Sequence, residues 1–166
     1  MTGMGRWMGE KLTIEGLRLR LAEDADIVPL LDLYVHLSSD NTRCPDEVAR
    51  DSLRRISQIQ GSGVFVGYAN GKLVTTCTLI VVPNLTRGGR PYAVIENVVT
   101  HPEYRKRGLG KAILDAACDS AWESGCYKVM LSTGSTRPAI LSFYESAGFE
   151  QSRTGFQKRR MTMRDD

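Results

Sequence analysis

The chain is short of everything a membrane protein, a secreted scaffold or a metalloprotein needs. No apolar run approaches the ~20 residues of a membrane span. The best candidate, Leu79-Ile80-Val81-Val82, stops at Pro83. The N-terminal MTGMGRWMGEKL has no apolar core of a signal peptide. Cysteine is limited to Cys44, Cys77, Cys118 and Cys126 with no C-x-x-C pair, and only His36 and His101 could complete a metal set. Reduced cysteines, a cytoplasmic location, no membrane and no metal are therefore expected. Charge of one sign is also scarce: 22 basic against 19 acidic residues leave +3, too mild to imply nucleic acid.

What is present is an ordinary globular composition, 42% hydrophobic and 25% charged over 166 residues. That length suits one domain with a core needing no staple. Leu17-Arg18-Leu19-Arg20-Leu21 alternates as a half-buried strand does. Glu23, Asp24 and Asp26 place negative charge at a helix start, and Ile27, Leu30, Leu31 and Tyr34 follow at helical spacing. Val48, Ser52, Ile56 and Ile59 mark a second helix ended by Gly61 and Gly63. Two β-rich runs, Val64 to Ala69 and Lys72 to Val82, flank Asn70-Gly71, the signature of a type I′ hairpin. Pro83 to Pro91 reads as a loop, Tyr92 to Thr100 as a strand, and Leu109 to Ser124 as a helix. Tyr127 to Thr133 reads as a strand, Pro138 to Ala147 as a helix ended by Gly148, and Phe149 to Gln157 as a last strand. The sum is a mixed α/β domain.

The most informative stretch joins the Tyr92–Thr100 strand to the following helix. Arg105-Lys106-Arg107-Gly108-Leu109-Gly110-Lys111 is a basic turn with two glycines at a helix start. The first N–H groups of a helix have no intrahelical partner, and helix N-termini bind phosphates for that reason. The turn is neither a Walker A loop nor a dinucleotide fingerprint, since Ile113 stands where a third glycine would. Without further context, a glycine-rich connection carrying a solvated basic run is the alternative reading.

Arg105-x-x-Gly108-x-Gly110 resembles the R/Q-x-x-G-x-G/A signature of the GNAT superfamily of acetyl-CoA-dependent N-acetyltransferases. About 34 residues beyond Gly110, Phe143-Tyr144-Glu145-Ser146-Ala147-Gly148-Phe149 resembles the family's F/L-Y-x-x-x-G-F segment. The resemblance covers roughly residues 16 to 160. It implies an N-terminal extension over 1–15 and a GNAT domain over 16–166, whose central, mostly antiparallel sheet is splayed at the cofactor cleft and flanked by helices. It also implies acetyl-CoA as co-substrate, a small-molecule primary amine as acceptor and direct transfer between them. A non-catalytic acyl-CoA-binding module and a protein N-terminal or lysine acetyltransferase are the alternatives. Homodimers are common in the family, and Phe149 to Gln157 is a plausible contact.

Carried onto this sequence, the turn from Arg105 through Lys106, Arg107, Gly108, Leu109 and Gly110 to Lys111 would hold the pyrophosphate. The backbone of Val98 and Val99 would meet the pantetheine arm and the thioester oxygen. Tyr144 would protonate the departing thiolate, a balanced transfer for a phenol with a reference pKa of about 10. Glu96, a carboxylate in an apolar strand, is the candidate base for the amine. Arg137 stands where the family usually carries Asn, and would meet a cofactor phosphate or an anionic acceptor. Arg87 and Arg90 lie in the loop from which acceptors usually approach. His101 reads as structural. Ile95-Glu96-Asn97-Val98-Val99 and Gly125-Cys126-Tyr127-Lys128-Val129-Met130-Leu131 resemble I-E-D-V-V and G-C-Y-K-V/I-I-L of the glucosamine-6-phosphate N-acetyltransferase branch, with Asn97 replacing an aspartate.

Overall fold

The computed structural model describes residues 11–12, 16–37 and 42–160. Of the expected N-terminal extension, 1–10 and 13–15 lie outside those residues. Two compact units are distinguished, 1–131 and 132–166.

The first unit carries one six-stranded sheet in which spatial order follows chain order. Its strands are β1 (Lys11–Leu12), β2 (Arg18–Leu21), β3 (Gly63–Ala69), β4 (Lys72–Val82), β5 (Tyr92–Thr100) and β6 (Val129–Leu131). Neighbours from β1 to β5 are antiparallel, and β5 with β6 is parallel. Lys11–Leu12, within the expected N-terminal extension, pair with Leu19 and Arg18. Asn70 and Gly71 both take positive φ, 51° and 75°, as the type I′ turn between β3 and β4 demands.

Helices cover both faces of this sheet. Helix α1 (Ile27–Tyr34) and helix α2 (Asp46–Gln58) supply Ile27, Leu30, Leu31, Leu33 and Leu53 to a cluster with Val64, Val66, Leu73 and Val99. The α2 face differs from the expected one. Val48 and Ile59 are exposed, and Ala49, Leu53 and Ile56 face inward at i, i+4 and i+7. Helix α3 (Leu109–Glu123) lies on the opposite face, where the Cys77 thiol reaches the Ile113 carbonyl at 3.7 Å. Ile113 and Leu114 are fully buried, worth about 2–3 kcal/mol each in transfer free energy.

Asp26, read in the sequence as a helix-dipole charge, is a buried hub instead. Its carboxylate accepts from both Arg20 Nη atoms, from the Tyr68 hydroxyl at 2.6 Å and from the Glu23 N–H at 2.7 Å. Burial alone would raise the Asp26 pKa, but these hydrogen bonds and the Arg20 charge hold the carboxyl below its ordinary value. Burial and the bond to Asp26 push the Tyr68 phenol up to about 12.

The second unit carries helix α4 (Pro138–Ser146). The expected last strand is absent: within Phe149 to Gln157 no residue joins a ladder, and Phe156 is fully exposed. The stretch FEQSRTGFQ has too few apolar residues in alternation to bury one face of a strand. The strand expected over Tyr127 to Thr133 shortens to Val129–Leu131. Among the described residues, no helix is long and apolar enough to cross a membrane, and all four cysteines are free.

Candidate active site

β5 carries a bulge where the chemistry is expected. Thr76 pairs with Val99 and Thr78 with Glu96, so β5 has one residue more than β4 between these pairs. Asn97 absorbs it with φ at 54°, a left-handed conformation that Asn and Asp tolerate better than other L residues. Side chains alternate along a regular strand, so residues three apart face opposite ways. The bulge reverses this, and Glu96 shares a sheet face with Val99. Val99 is buried in the α1–α2 cluster, whereas Glu96 is exposed. Thr78, directly across from Glu96, also interacts with the Tyr34 hydroxyl. Burial raises the Tyr34 pKa against the pull of Thr78 and Thr76. The sequence pointed to Glu96 but took Tyr34 only as a core position. A phenol on an amphipathic helix gives no signal for such a role.

β5 and β6 pair only from Ala93–Val129 to Ile95–Leu131. Among the described residues, Glu96 to Thr100 are therefore laddered to β4 alone. Here the sheet opens as the expected splay requires, with Val98 half-buried at the opening.

The end of β5 is clamped to β4. The Thr75 hydroxyl donates to the Val99 carbonyl at 3.1 Å and meets the Thr100 hydroxyl at 3.0 Å. The His101 N–H donates to the Val74 carbonyl at 2.8 Å. His101 then caps the 3-10 turn Pro102–Tyr104, its Nδ1 accepting from the Glu103 N–H at 3.4 Å. Burial, then the charges of Lys72 and His36, lower its pKa against the opposing pull of Glu103, which fits the structural role expected for it.

The basic turn follows. Lys106 has φ at 61° and Gly108 at 78°, and α3 begins at Leu109. The first helical bond runs from the Ala112 N–H to the Gly108 carbonyl at 3.0 Å. The N–H groups of Leu109, Gly110 and Lys111 precede it and have no i−4 partner, the feature by which helix N-termini can hold anions. Arg105, Lys106 and Arg107 are exposed around it. Lys111 is less available than the sequence suggested, because its Nζ pairs with Asp115 at 2.7 Å.

At the other end of β5, about 26 Å away at strand rise, lies the Pro83–Pro91 loop. The Asn84 amide ties this loop by donating to the Thr86 and Arg90 carbonyls at 3.0 and 3.1 Å. Arg87 lies over the Tyr127 ring at 5.9 Å, and Lys128 over Tyr92 and Tyr127 at 5.4 and 5.5 Å. Tyr92 and Glu96 share a sheet face, since Val82 and Thr78 oppose them in unbroken alternation. Lys128 is not among the site residues read from the sequence, although a lysine in an apolar run was a visible signal.

Within the second unit, Arg137 is the N-cap residue of α4, and its N–H and Nε meet the Ser135 hydroxyl at 3.3 and 3.4 Å. Tyr144 lies on the last turn of α4, half-buried, with its ring 5.0 Å from that of Phe143. Gly148 takes φ at 86° and donates to the Glu145 carbonyl, and Phe149 donates to the Tyr144 carbonyl. These two bonds form a Schellman motif. The Gly-Phe of the sequence motif is thus the device that ends α4 behind its tyrosine.

Known proteins share this arrangement. The acetyltransferase (GNAT) family model matches residues 30–149. The glucosamine 6-phosphate N-acetyltransferase of Trypanosoma brucei brucei is 37% identical over 138 residues, covering 82% of this chain and 90% of that protein. A solved structure of a putative acetyltransferase from Agrobacterium tumefaciens superposes with a TM-score of 0.80 at 45% identity, covering 86% of this chain and 99% of that one. A solved Trypanosoma brucei acetyltransferase gives 0.72 at 32% identity, covering 89% and 99%. By sequence, topology and the strand–turn–helix that carries its signature, the chain belongs to the GNAT family of acetyltransferases and is an acyltransferase.

Proposed function

We propose that residues 16–166 act as one acetyltransferase domain that moves an acetyl group from acetyl-CoA to a primary amine by direct transfer. The observation that carries this reading is the turn from Arg105 to Lys111, with its ladder-free N–H groups and its cations at the end of the bulged strand. The turn takes the pyrophosphate, and the Val98–Val99 backbone meets the pantetheine arm and the carbonyl oxygen that gains charge. The acceptor amine gives a proton to Glu96, directly or through water, and its nitrogen bonds to the acetyl carbon. The C–S bond breaks, and Tyr144 returns a proton to the thiolate. No step calls for a metal.

The acceptor we favour is a small amino sugar carrying a negative charge. Arg87 and Lys128 are not ion-paired among the described residues, and Lys128 lies over Tyr92 on the face that Glu96 shares. The 37%-identical trypanosome protein is named for glucosamine 6-phosphate. Asn97, which replaces an aspartate of that branch, keeps the backbone conformation an aspartate would hold there.

A thiol-release assay with acetyl-CoA and a panel of amines tests both levels. Glucosamine 6-phosphate should stimulate CoA release well above glucosamine, amino acids, polyamines and peptides. Equal rates with glucosamine would remove the anionic acceptor but leave the acetyltransfer. Best turnover on a peptide N-terminus or lysine would make the acceptor a protein. CoA binding with no stimulation by any amine would overturn direct transfer to an amine.

A further inference from the structure

Arg105, the first residue of the signature, belongs by sequence to a basic run whose charge suits an anion. The geometry points to a different role. We propose that Arg105 is a positioning residue, holding the phosphate-binding turn against the end of β5 through a hydrogen bond that needs no charge. This rests on the reading of the turn as the CoA site.

The Arg105 Nε–H donates to the Thr100 carbonyl at 3.0 Å, closing a loop over residues 100–105. Thr100 is the last residue of β5, and its hydroxyl is held from β4 by Thr75. The Arg105 N–H donates to the Pro102 carbonyl at 3.3 Å. Arg105 is thus tied to the strand end by its side chain and to the 3-10 turn by its backbone. Immediately beyond it the chain enters Lys106 and Gly108, both left-handed. Such a stretch takes its place in space from whatever precedes it, so the Arg105 latch sets where the Leu109, Gly110 and Lys111 N–H groups point relative to β5. A shift of about 1 Å in such a donor set costs binding steeply.

The same geometry explains why the signature admits Arg or Gln. The two residues differ in charge, yet each presents an N–H donor on a planar group at the end of its stem. Lysine keeps the charge but offers a rotating ammonium on a longer stem. An anion contact would rank lysine above glutamine, and a latch ranks glutamine above lysine.

The test compares Arg105→Gln and Arg105→Lys, with CoA affinity measured by calorimetry and KM and kcat measured for acetyl-CoA. Thermal unfolding of each variant confirms folding. Arg105→Gln should stay within about threefold of the parent in CoA affinity and in KM. Arg105→Lys should lose about tenfold in both, with kcat at saturating acetyl-CoA far less affected. The reverse order, or equal retention by both, would overturn the latch. So would equal loss in two folded variants. Gly108→Glu separates this proposal from the reading beneath it: if that variant binds CoA like the parent, the turn is not the CoA site at all.

Discussion

The Phe149 N–H donates to the Tyr144 carbonyl at 3.1 Å, and the two rings meet edge-to-face with centroids 6.4 Å apart. The bond is one of the two that make the Schellman termination, and the ring contact is the apolar contact that accompanies it. They explain the spacing of the Tyr-x-x-x-Gly-Phe segment. Gly148 supplies the left-handed turn, and Phe149 closes back onto the residue whose hydroxyl the proposed mechanism uses. Tyr144→Phe should lower kcat on the order of 10²-fold with CoA affinity unchanged. Gly148→Ala meets no steric obstacle within 4 Å, so its cost is backbone strain of about 1–2 kcal/mol. Its turnover should fall as well, because the motif behind Tyr144 loosens. A parental kcat in Tyr144→Phe would remove the tyrosine from the chemistry.

Gly108→Glu adds bulk and negative charge where the left-handed N-cap opens α3. CoA affinity, read by calorimetry, should fall below detection. Lys111→Ala should cost only a fewfold, since that ammonium is engaged by Asp115. A larger loss than that of Arg107→Ala would show that the Lys111–Asp115 pair opens on binding.

The bulge predicts an ordering at Asn97. Asn97→Asp and Asn97→Gly suit φ at 54° and should keep stability and most of the turnover. Asn97→Val should cost about 1–2 kcal/mol. If instead it straightens β5, Glu96 and Val99 no longer share a face and kcat collapses. Glu96→Gln isolates the chemical role, with kcat falling on the order of 10²-fold at unchanged CoA affinity.

Asp26 predicts a pH dependence of stability. Its folded pKa lies below the unfolded value of about 4. The stabilisation is therefore fully present above that unfolded value and is lost as pH falls through the folded one. Tyr68 has the opposite sign: raised to about 12 from about 10, it contributes fully below 10 and loses its contribution as pH climbs through 12. Asp26→Asn should cost about 3 kcal/mol at neutral pH, since it removes the charge that pairs with Arg20 and puts an amide donor in place of one of the two accepting oxygens. Unfolding followed from pH 2 to 11 should show a flatter acid limb in the variant. An unchanged acid limb would place the titrating group elsewhere.

The sequence carried much of this because its strongest signals were local. Leu109 to Ser124 was legible as a helix because glycines bracket an apolar face, and Asn70-Gly71 because only a primed turn suits that pair. The strand–turn–helix around Gly108 was equally visible. What escaped depended on partners far along the chain. Asp26 looked like a helix-start charge because Tyr68, its ligand, is 42 residues away. Neither the Asn97 bulge nor the pairing of Tyr34 with Thr78 has a sequence period. Phe149 to Gln157 shows the converse: it lacks an alternating apolar face, and among the described residues no strand pairs with it.

The chain-ordered sheet has a consequence for how the protein is made. Each strand pairs only with its predecessor and its successor, so each ladder closes as the next strand of the chain emerges. By the time the ribosome has released Leu131, all six strands and the phosphate-binding turn have their partners. Folding should therefore proceed from the N-terminus during synthesis, and a nascent chain halted after Leu131 should already protect its β3–β4–β5 amides from exchange.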